Sequence, residues 1–209
     1  DNDVLMLFRY FRQNKDDLIL EVGNNQEYAC HILADYGHKV IGVDLMSFFH
    51  EGHLLNYHRF RGDFCKLASE GIFEKDSLDA IFSTSAIEHF GLKTYPGCPG
   101  NDCYDEIAMA HIWNVLKPGG ICYITVPYGK NFVVHGNDWR IYNRETLRER
   151  IIQDFQVENW AFFKSDVCPG LPDVGGKPPI VAEGDADGFD LECPHLTVFL
   201  KMRKGCPRA

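Results

Sequence analysis

The chain has 209 residues, of which 45% are hydrophobic and 24% charged, with a formal net charge of −9. That length and balance suit one globular domain with a full core. The acidic excess argues against a nucleic-acid backbone as the main partner, and no apolar run reaches the roughly 18 residues of a membrane span.

Val4 to Phe11 is densely apolar and aromatic, which predicts a helix within residues 1–16, packed on a sheet edge. Leu18 to Val22 reads as a buried strand. Glu27 to Tyr36 follows as a helix with Cys30, Ile32, Leu33 and Tyr36 at helical spacing, stopped by Gly37. Val40 to Asp44 is a second strand. A turn and short helix around Phe48 to Leu55 lead to a third strand at His58 to Gly62, ending at Asp63. Leu78 to Ser83 is the fourth strand. Ile107 to Leu116 is a helix ended by Lys117-Pro118-Gly119-Gly120, and Ile121 to Val126 is the fifth strand, closed by Pro127. Arg144 to Ile152 is helical, and Phe155 to Phe163 and Leu196 to Met202 are the last strands.

Strands alternating with helices predict an α/β fold over residues 1–209, a doubly wound, mostly parallel seven-stranded sheet covered on both faces. The last two strands break the alternation and pair as an antiparallel hairpin. Between them, 165–195 is an excursion rich in Pro, Gly and acids, and loops of that length are usually functional or disordered. Its acidic run from Glu183 to Glu192 lacks the ligand order of a calcium loop and reads as solvated. The chain opens Asp1-Asn2-Asp3 with no Met, which leaves open a preceding or cleaved segment; a cytoplasmic location is the expectation.

Chemistry concentrates first between Leu18 and Leu45. A buried strand, a tight turn at Gly23 opening a helix, and a second strand ending in Asp44 form the arrangement by which a doubly wound sheet holds a nucleoside-containing cofactor. The carboxylate about twenty residues beyond the turn accepts ribose hydroxyls. The turn has one glycine where such turns usually have two or three. Asn is the non-glycine residue that best tolerates positive φ, so Asn25 can make the turn provided its side chain rotates away.

Of the eight cysteines, Cys30, Cys65 and Cys122 fall in or beside core elements, where Cys acts as a small hydrophobe. For the others free thiols are the default, ahead of loop disulfides or a loosely spaced zinc site from Cys98, Cys103, Cys193 and His195. Arg140, Arg144, Arg148 and Arg150 read as the solvated face of a helix.

Together these segments resemble the class I S-adenosylmethionine-dependent methyltransferases over about Leu18 to Met202. Glu21-Val22-Gly23 stands at the methionine-binding turn, with Gly23-Asn24-Asn25-Gln26-Glu27 in place of that family's Gly-x-Gly-x-Gly. Asp44 matches the ribose carboxylate, and Gly62-Asp63-Phe64 the position that meets the adenine amine and flanks the ring. Asp79 to His89 resembles the fourth-strand motif of the small-molecule branch, and Leu116 to Ile121 the turn before its fifth strand. The resemblance implies S-adenosylmethionine as cofactor, held by Glu21, Gly23, Asn25, Asp44, Leu45, Asp63, Phe64, Thr84 and Ser85, in a Rossmann-like methyltransferase fold.

Ser85 to Gly91, Thr125 to Gly129 and Arg140-Ile141-Tyr142 further resemble a little-characterised branch of methyltransferase-like proteins, whose members often lie among surface-glycan genes. This implies methyl transfer to a small polar acceptor, with O-methylation of a sugar-type molecule favoured. A catalytically silent binding or scaffold protein of the same fold is the alternative. A hydride-transfer enzyme is disfavoured by the final hairpin and the missing Gly-x-Gly-x-x-Gly.

Methyl transfer needs alignment and, for a hydroxyl acceptor, removal of a proton. His89 is the first candidate for that work, weighed against a packing role. His135 and Asp138 follow in a polar loop with Trp139 beyond the fifth strand, where ligands of open α/β sheets bind. Tyr128 and Tyr142 offer hydroxyls or stacking faces, although such residues are more often core. Asp102, Asp105, Glu106 and Asp138 show no spacing that demands a metal, and none is expected. The expected partner is a small-molecule substrate; the oligomeric state stays open.

Overall fold

The short apolar runs of the sequence become the centre of one sheet because they are buried on both faces. The computed structural model describes residues 17–24, 28–46, 55–93, 95–164, 180–181, 186–187 and 196–206. The helix expected near Val4 to Phe11, nearly all of the one at Phe48 to Leu55, and most of the excursion lie outside these residues.

In chain order the elements are β1 (Leu18–Val22), α1 (Tyr28–Asp35), β2 (Lys39–Asp44), β3 (Tyr57–Arg61), α2 (Phe64–Ser69), β4 (Leu78–Thr84), a 3₁₀ turn (Ile87–His89), α3 (Tyr104–Val115) and β5 (Leu116–Tyr128). A hairpin of β6 (Val133–His135) and β7 (Trp139–Ile141) follows, then α4 (Arg144–Thr146), which runs on as a π-helix (Leu147–Ile152). β8 (Gln156–Lys164), β9 (Ile180–Val181) and β10 (Leu196–Arg203) complete the order.

The main sheet runs β3-β2-β1-β4-β5-β10-β8-β9. β1 to β5 are parallel to their neighbours, and β10 enters antiparallel between β5 and β8. This is the mostly parallel, doubly wound sheet with an antiparallel last strand. β9, two residues long, pairs with Phe162 and Phe163 at its edge. Alternation along the strands divides the core. Ile19, Ala80, Phe82, Ile121 and Tyr123 join α1 on one face, while Leu20, Ile81, Cys122, Ile124 and Val126 join α3 and the π-helix on the other. β1 pairs with both β2 and β4, so the crevice where strand order reverses opens at their C-terminal ends.

Three local results differ from the sequence expectation. Lys117-Pro118-Gly119-Gly120 lies within β5, which begins at Leu116, because the backbone beyond β10 reaches it: Gly119 N–H donates to Lys204 C=O (2.9 Å) and Lys204 N–H to Gly120 C=O (3.0 Å). α2 was not anticipated; Asp63 caps it, its Oδ1 accepting from the N–H groups of Cys65 (2.9 Å) and Lys66 (3.3 Å). The β6–β7 hairpin was also missed. It turns at Gly136 (φ 59) and Asn137 (φ 61), closed by Asp138 N–H to His135 C=O at 2.8 Å.

Of the four arginines, Arg148 is exposed on the helix as expected, but the other three do not join it in one solvated face. Arg140 lies on β7 and is buried, Arg144 pairs with Asp187, and Arg150 reaches Asp105 and Glu106. Asp105 is the hub of this region. It accepts from Tyr142 Oη (2.8 Å) and from Arg150 Nε (2.9 Å) and Nη2 (2.6 Å), joining α3 to the π-helix. Tyr128 and Tyr142 are core residues, and Tyr128 Oη also donates to Asp187 of the excursion. Among the described residues Cys30, Cys65 and Cys122 are buried thiols, Cys98, Cys103 and Cys206 are also unbridged, and no helix is long and apolar enough to cross a membrane.

Candidate active site

The turn after β1 is built by one glycine with two reasons to be glycine. Gly23 has φ +80, and a Cβ there would fall 2.2 Å from the Cβ of Ala86 on the β4 side. Its N–H and that of Asn24 both donate to Val43 C=O, at 2.8 and 3.4 Å, which draws the turn against β2. The Asn24 side chain then goes down into the protein. Its Nδ2 donates to Tyr57 Oη (2.6 Å) and Cys30 Sγ (3.3 Å), while Cys30 Sγ donates to Glu21 Oε2 (2.8 Å). Burial, with the Glu21 carboxylate beside it, pushes the Cys30 thiol up, so it serves this network as a donor. Glu21 and Asn24 thus brace the turn from beneath. Asn25 lies outside the described residues.

Above the turn a pocket runs along the ends of β1, β2 and β4. Its walls include Gly23, Asp44, Leu45, Met46, Asp63, Phe64, Ser85, Ala86 and His89. The loop between the 3₁₀ turn and α3 adds Tyr95, Cys98 and Pro99, and the first residue of α3 adds Tyr104. Asp44 is oriented at the end of β2 by Met46 N–H, which donates to its Oδ1 at 2.7 Å. Asp63 is held from two sides, since Tyr104 Oη donates to Oδ2 at 2.7 Å while Oδ1 caps α2. Burial and that bond push the Tyr104 phenol well up, keeping it protonated as the donor. Ser85, at positive φ (47°), turns the chain off β4, its N–H donating to Thr125 Oγ1 at 3.0 Å. His89 closes the pocket, with Nδ1 2.6 Å from the backbone oxygen of Asp138 and its ring edge-on to Tyr95, centroids 5.5 Å apart.

Of the residues expected at the site, Gly23, Asp44, Leu45, Asp63, Phe64, Ser85 and His89 are brought together on this pocket. Glu21 and Thr84 are not among its lining residues. His135 is exposed on the hairpin, its ring stacked on Trp139 at 4.5 Å, and Asp138 meets His89 through its main chain. Met46, Tyr95 and Tyr104 line the pocket without having been singled out, and Cys98, read as a free thiol by default, lines it too. The Tyr95-Pro96-Gly97-Cys98-Pro99-Gly100 run directly after the fourth-strand motif was the available signal: a Gly/Pro-rich loop at a strand's C-terminal end. The charged side chains on the described walls are Asp44 and Asp63, so the pocket carries a negative field.

A family profile described as "Methyltransferase domain" matches residues 20–124, half of the chain. No curated protein sequence matches. Among solved structures, the 1,6-didemethyltoxoflavin-N1-methyltransferase of Burkholderia thailandensis, which holds 1,6-didemethyltoxoflavin and S-adenosylhomocysteine, superposes with a TM-score of 0.66 at 12% identity. It covers 98% of this chain and 77% of its own. An S-adenosylmethionine-dependent methyltransferase of Methanosarcina mazei gives 0.60 at 13% identity over 96% and 98%. The [4+2]-cyclase SpnF gives 0.64 at 16% over 97% and 81%. Likeness at these identities establishes the fold, which also hosts other chemistry; the match over 20–124 carries the assignment further. The chain belongs to the methyltransferase domain family, as an S-adenosylmethionine-dependent methyltransferase.

Proposed function

We propose that the protein methylates a hydroxyl of a small, polar, uncharged acceptor, a sugar-type molecule being favoured, and that His89 is its general base. The observation that carries this reading is the 2.6 Å contact between His89 Nδ1 and the carbonyl oxygen of Asp138. A carbonyl only accepts, so Nδ1 bears the proton and Nε2 is left as the basic nitrogen of a neutral imidazole. That ring stands on the wall of the pocket that also holds Gly23 and Asp44.

The residues present fit S-adenosylmethionine. The close packing of Gly23 on Ala86 leaves the turn without a side chain at that point, and Asn24 is committed to Tyr57 beneath it. Asp44 is the ribose ligand, Asp63 and Phe64 flank the adenine, and Leu45, Thr84 and Ser85 belong to the same binding region. When bound, the cofactor supplies an electrophilic methyl group on a sulfonium, and the negative field of Asp44 and Asp63 suits that cation. The protein's own part is to align the acceptor, exclude water and receive the hydroxyl proton on His89 Nε2. The same field disfavours anionic acceptors. His135 and Asp138, with Trp139, belong to the hairpin beside His89, where they serve the acceptor by contact and not by proton transfer.

The experiment pairs titration of S-adenosylhomocysteine with transfer of labelled methyl groups to a panel of neutral sugars and anionic sugar phosphates. The expected result is binding, methylation confined to neutral hydroxyl acceptors, and a fall of about 10²- to 10⁴-fold in kcat for His89→Ala with cofactor affinity unchanged. Full activity in His89→Ala, or a preference for the phosphates, overturns the reading.

A further inference from the structure

His89 sits in a 3₁₀ turn of only three residues, with three local backbone bonds around it: His89 N–H to Ala86, Phe90 N–H to Ile87, and Leu92 N–H to His89, each at 3.0 Å. Such a turn is a weak platform for a side chain that must be placed within fractions of an ångström. The support comes from elsewhere. The carbonyls on either side of His89 point at one group: Arg140 Nη1 donates to both Glu88 C=O (3.2 Å) and Phe90 C=O (2.6 Å). Arg140 Nη2 donates to Asp102 C=O (3.0 Å), at the start of α3, and Nε lies 3.7 Å from Asp105 Oδ2.

The second contact to His89 comes from the same short segment. Asp138, two residues before Arg140, presents the carbonyl that meets Nδ1. We infer that Arg140, with the β6–β7 hairpin that carries it, is a positioning residue: it fixes both the backbone around His89 and the tautomer of its ring. The inference rests on the proposed role of His89 as base.

Arginine suits this task and lysine does not. The guanidinium is a rigid planar fork that reaches three carbonyls and a carboxylate at once, whereas an ammonium is a point donor on a flexible stem. Stability alone does not account for it. Arg140 is 1% exposed, and burying a charge where an apolar side chain would fit is often neutral or unfavourable for folding. What an apolar residue cannot do is hold the carbonyls of Glu88, Phe90 and Asp102 in one frame. The sequence of contacts therefore runs from Asp105 to Arg140, from Arg140 to the turn, and from the hairpin to the imidazole.

The test reads the imidazole itself, so it needs no acceptor. Two-dimensional ¹H–¹⁵N spectra of the His89 ring are recorded for the full chain with S-adenosylhomocysteine bound. The native protein shows the Nδ1–H form. Arg140→Lys shows a mixture of tautomers, with cofactor affinity unchanged. Once an acceptor is in hand, kcat falls about tenfold to a hundredfold at constant KM for the cofactor. Asn137→Pro is the second variant. Asn137 is exposed at φ 61, which proline cannot adopt, so the change moves the Asp138 carbonyl without touching the buried cluster. It too frees the tautomer. An unchanged Nδ1–H signal in both variants overturns the inference. If His89 is not the base, His89→Ala keeps its activity while the tautomer still responds to Arg140→Lys, so the two failures are told apart.

Discussion

Asn24 Nδ2 donates to Tyr57 Oη at 2.6 Å, tying the turn after β1 to β3 across the intervening β2. Gly42 lies directly in that path: a Cβ there would fall 2.0 Å from Asn24 Nδ2 and 2.8 Å from Tyr57 Oη. The residue that follows the turn glycine has thus been turned into a buried strut, and β2 has a glycine to let it pass. Gly42→Ala should destabilise the protein by about 1–3 kcal/mol, as over-packing does. The expected sign is a lower urea midpoint at unchanged slope. An unaltered midpoint would mean that the amide simply swings aside.

Asp44 stands two residues further along the same strand, its Oδ1 already fixed by Met46 N–H. Its carboxylate is therefore pre-oriented, and on the proposed assignment its removal should cost the charge-assisted hydrogen bonding to the ribose. Asp44→Ala should weaken S-adenosylhomocysteine binding by about 1.5–3 kcal/mol, roughly ten- to 150-fold. Calorimetric titration measures it directly, and equal affinity would remove Asp44 from the site.

Much of this was legible in the chain, for a physical reason. β1, β2, β4 and β5 are buried on both faces, so their runs of Leu, Ile and Val announce themselves without context. Asp44 was readable as a pocket residue because it ends such a strand, and Asp63 because it follows the shorter, more exposed β3. Arg140 was not readable. Its partners are the main-chain oxygens of Glu88, Phe90 and Asp102, between 38 and 52 residues away, and carbonyls leave no mark in a sequence. Tyr104 was missed in the same way, since its bond to Asp63 crosses 41 residues. The hairpin was a different miss: Gly136-Asn137 between Val133-Val134 and Trp139-Arg140-Ile141 is a turn signal that the polar character of the loop obscured.

Asp105 is wholly buried and is shared by Tyr142, Arg150 and Arg140. Removing it leaves a buried guanidinium at Arg140 and a partly buried one at Arg150 without their carboxylate. Asp105→Ala should therefore cost about 3–5 kcal/mol, the range for breaking a buried pair. Replacing Glu106, which meets the cluster through Arg150 Nη1 at 2.6 Å and is itself partly exposed, should cost no more than about 1 kcal/mol. Equilibrium unfolding of the two variants side by side makes the contrast, and equal losses would show that the network does not centre on Asp105.

Glu88 gives the fold a pH dependence of its own. The carboxyl is buried beside His89, and among the described residues its Oε2 has no hydrogen-bond partner. Burial pushes it from an ordinary 4.5 up to about 8, so the folded protein holds a proton there that the unfolded chain releases. The stability contributed by this group is complete below about 4.5, declines as the pH rises through the window between 4.5 and 8, and levels off above it. The loss is on the order of a few kcal/mol. Glu88→Gln keeps the shape and removes the proton, so it should gain on the native protein as the pH is raised from about 5 to about 9. Urea midpoints of both proteins across that range measure the difference, which isolates Glu88 from the other carboxylates. Parallel profiles would mean that Glu88 is ionised in the folded state, and that the space around it admits water or a cation.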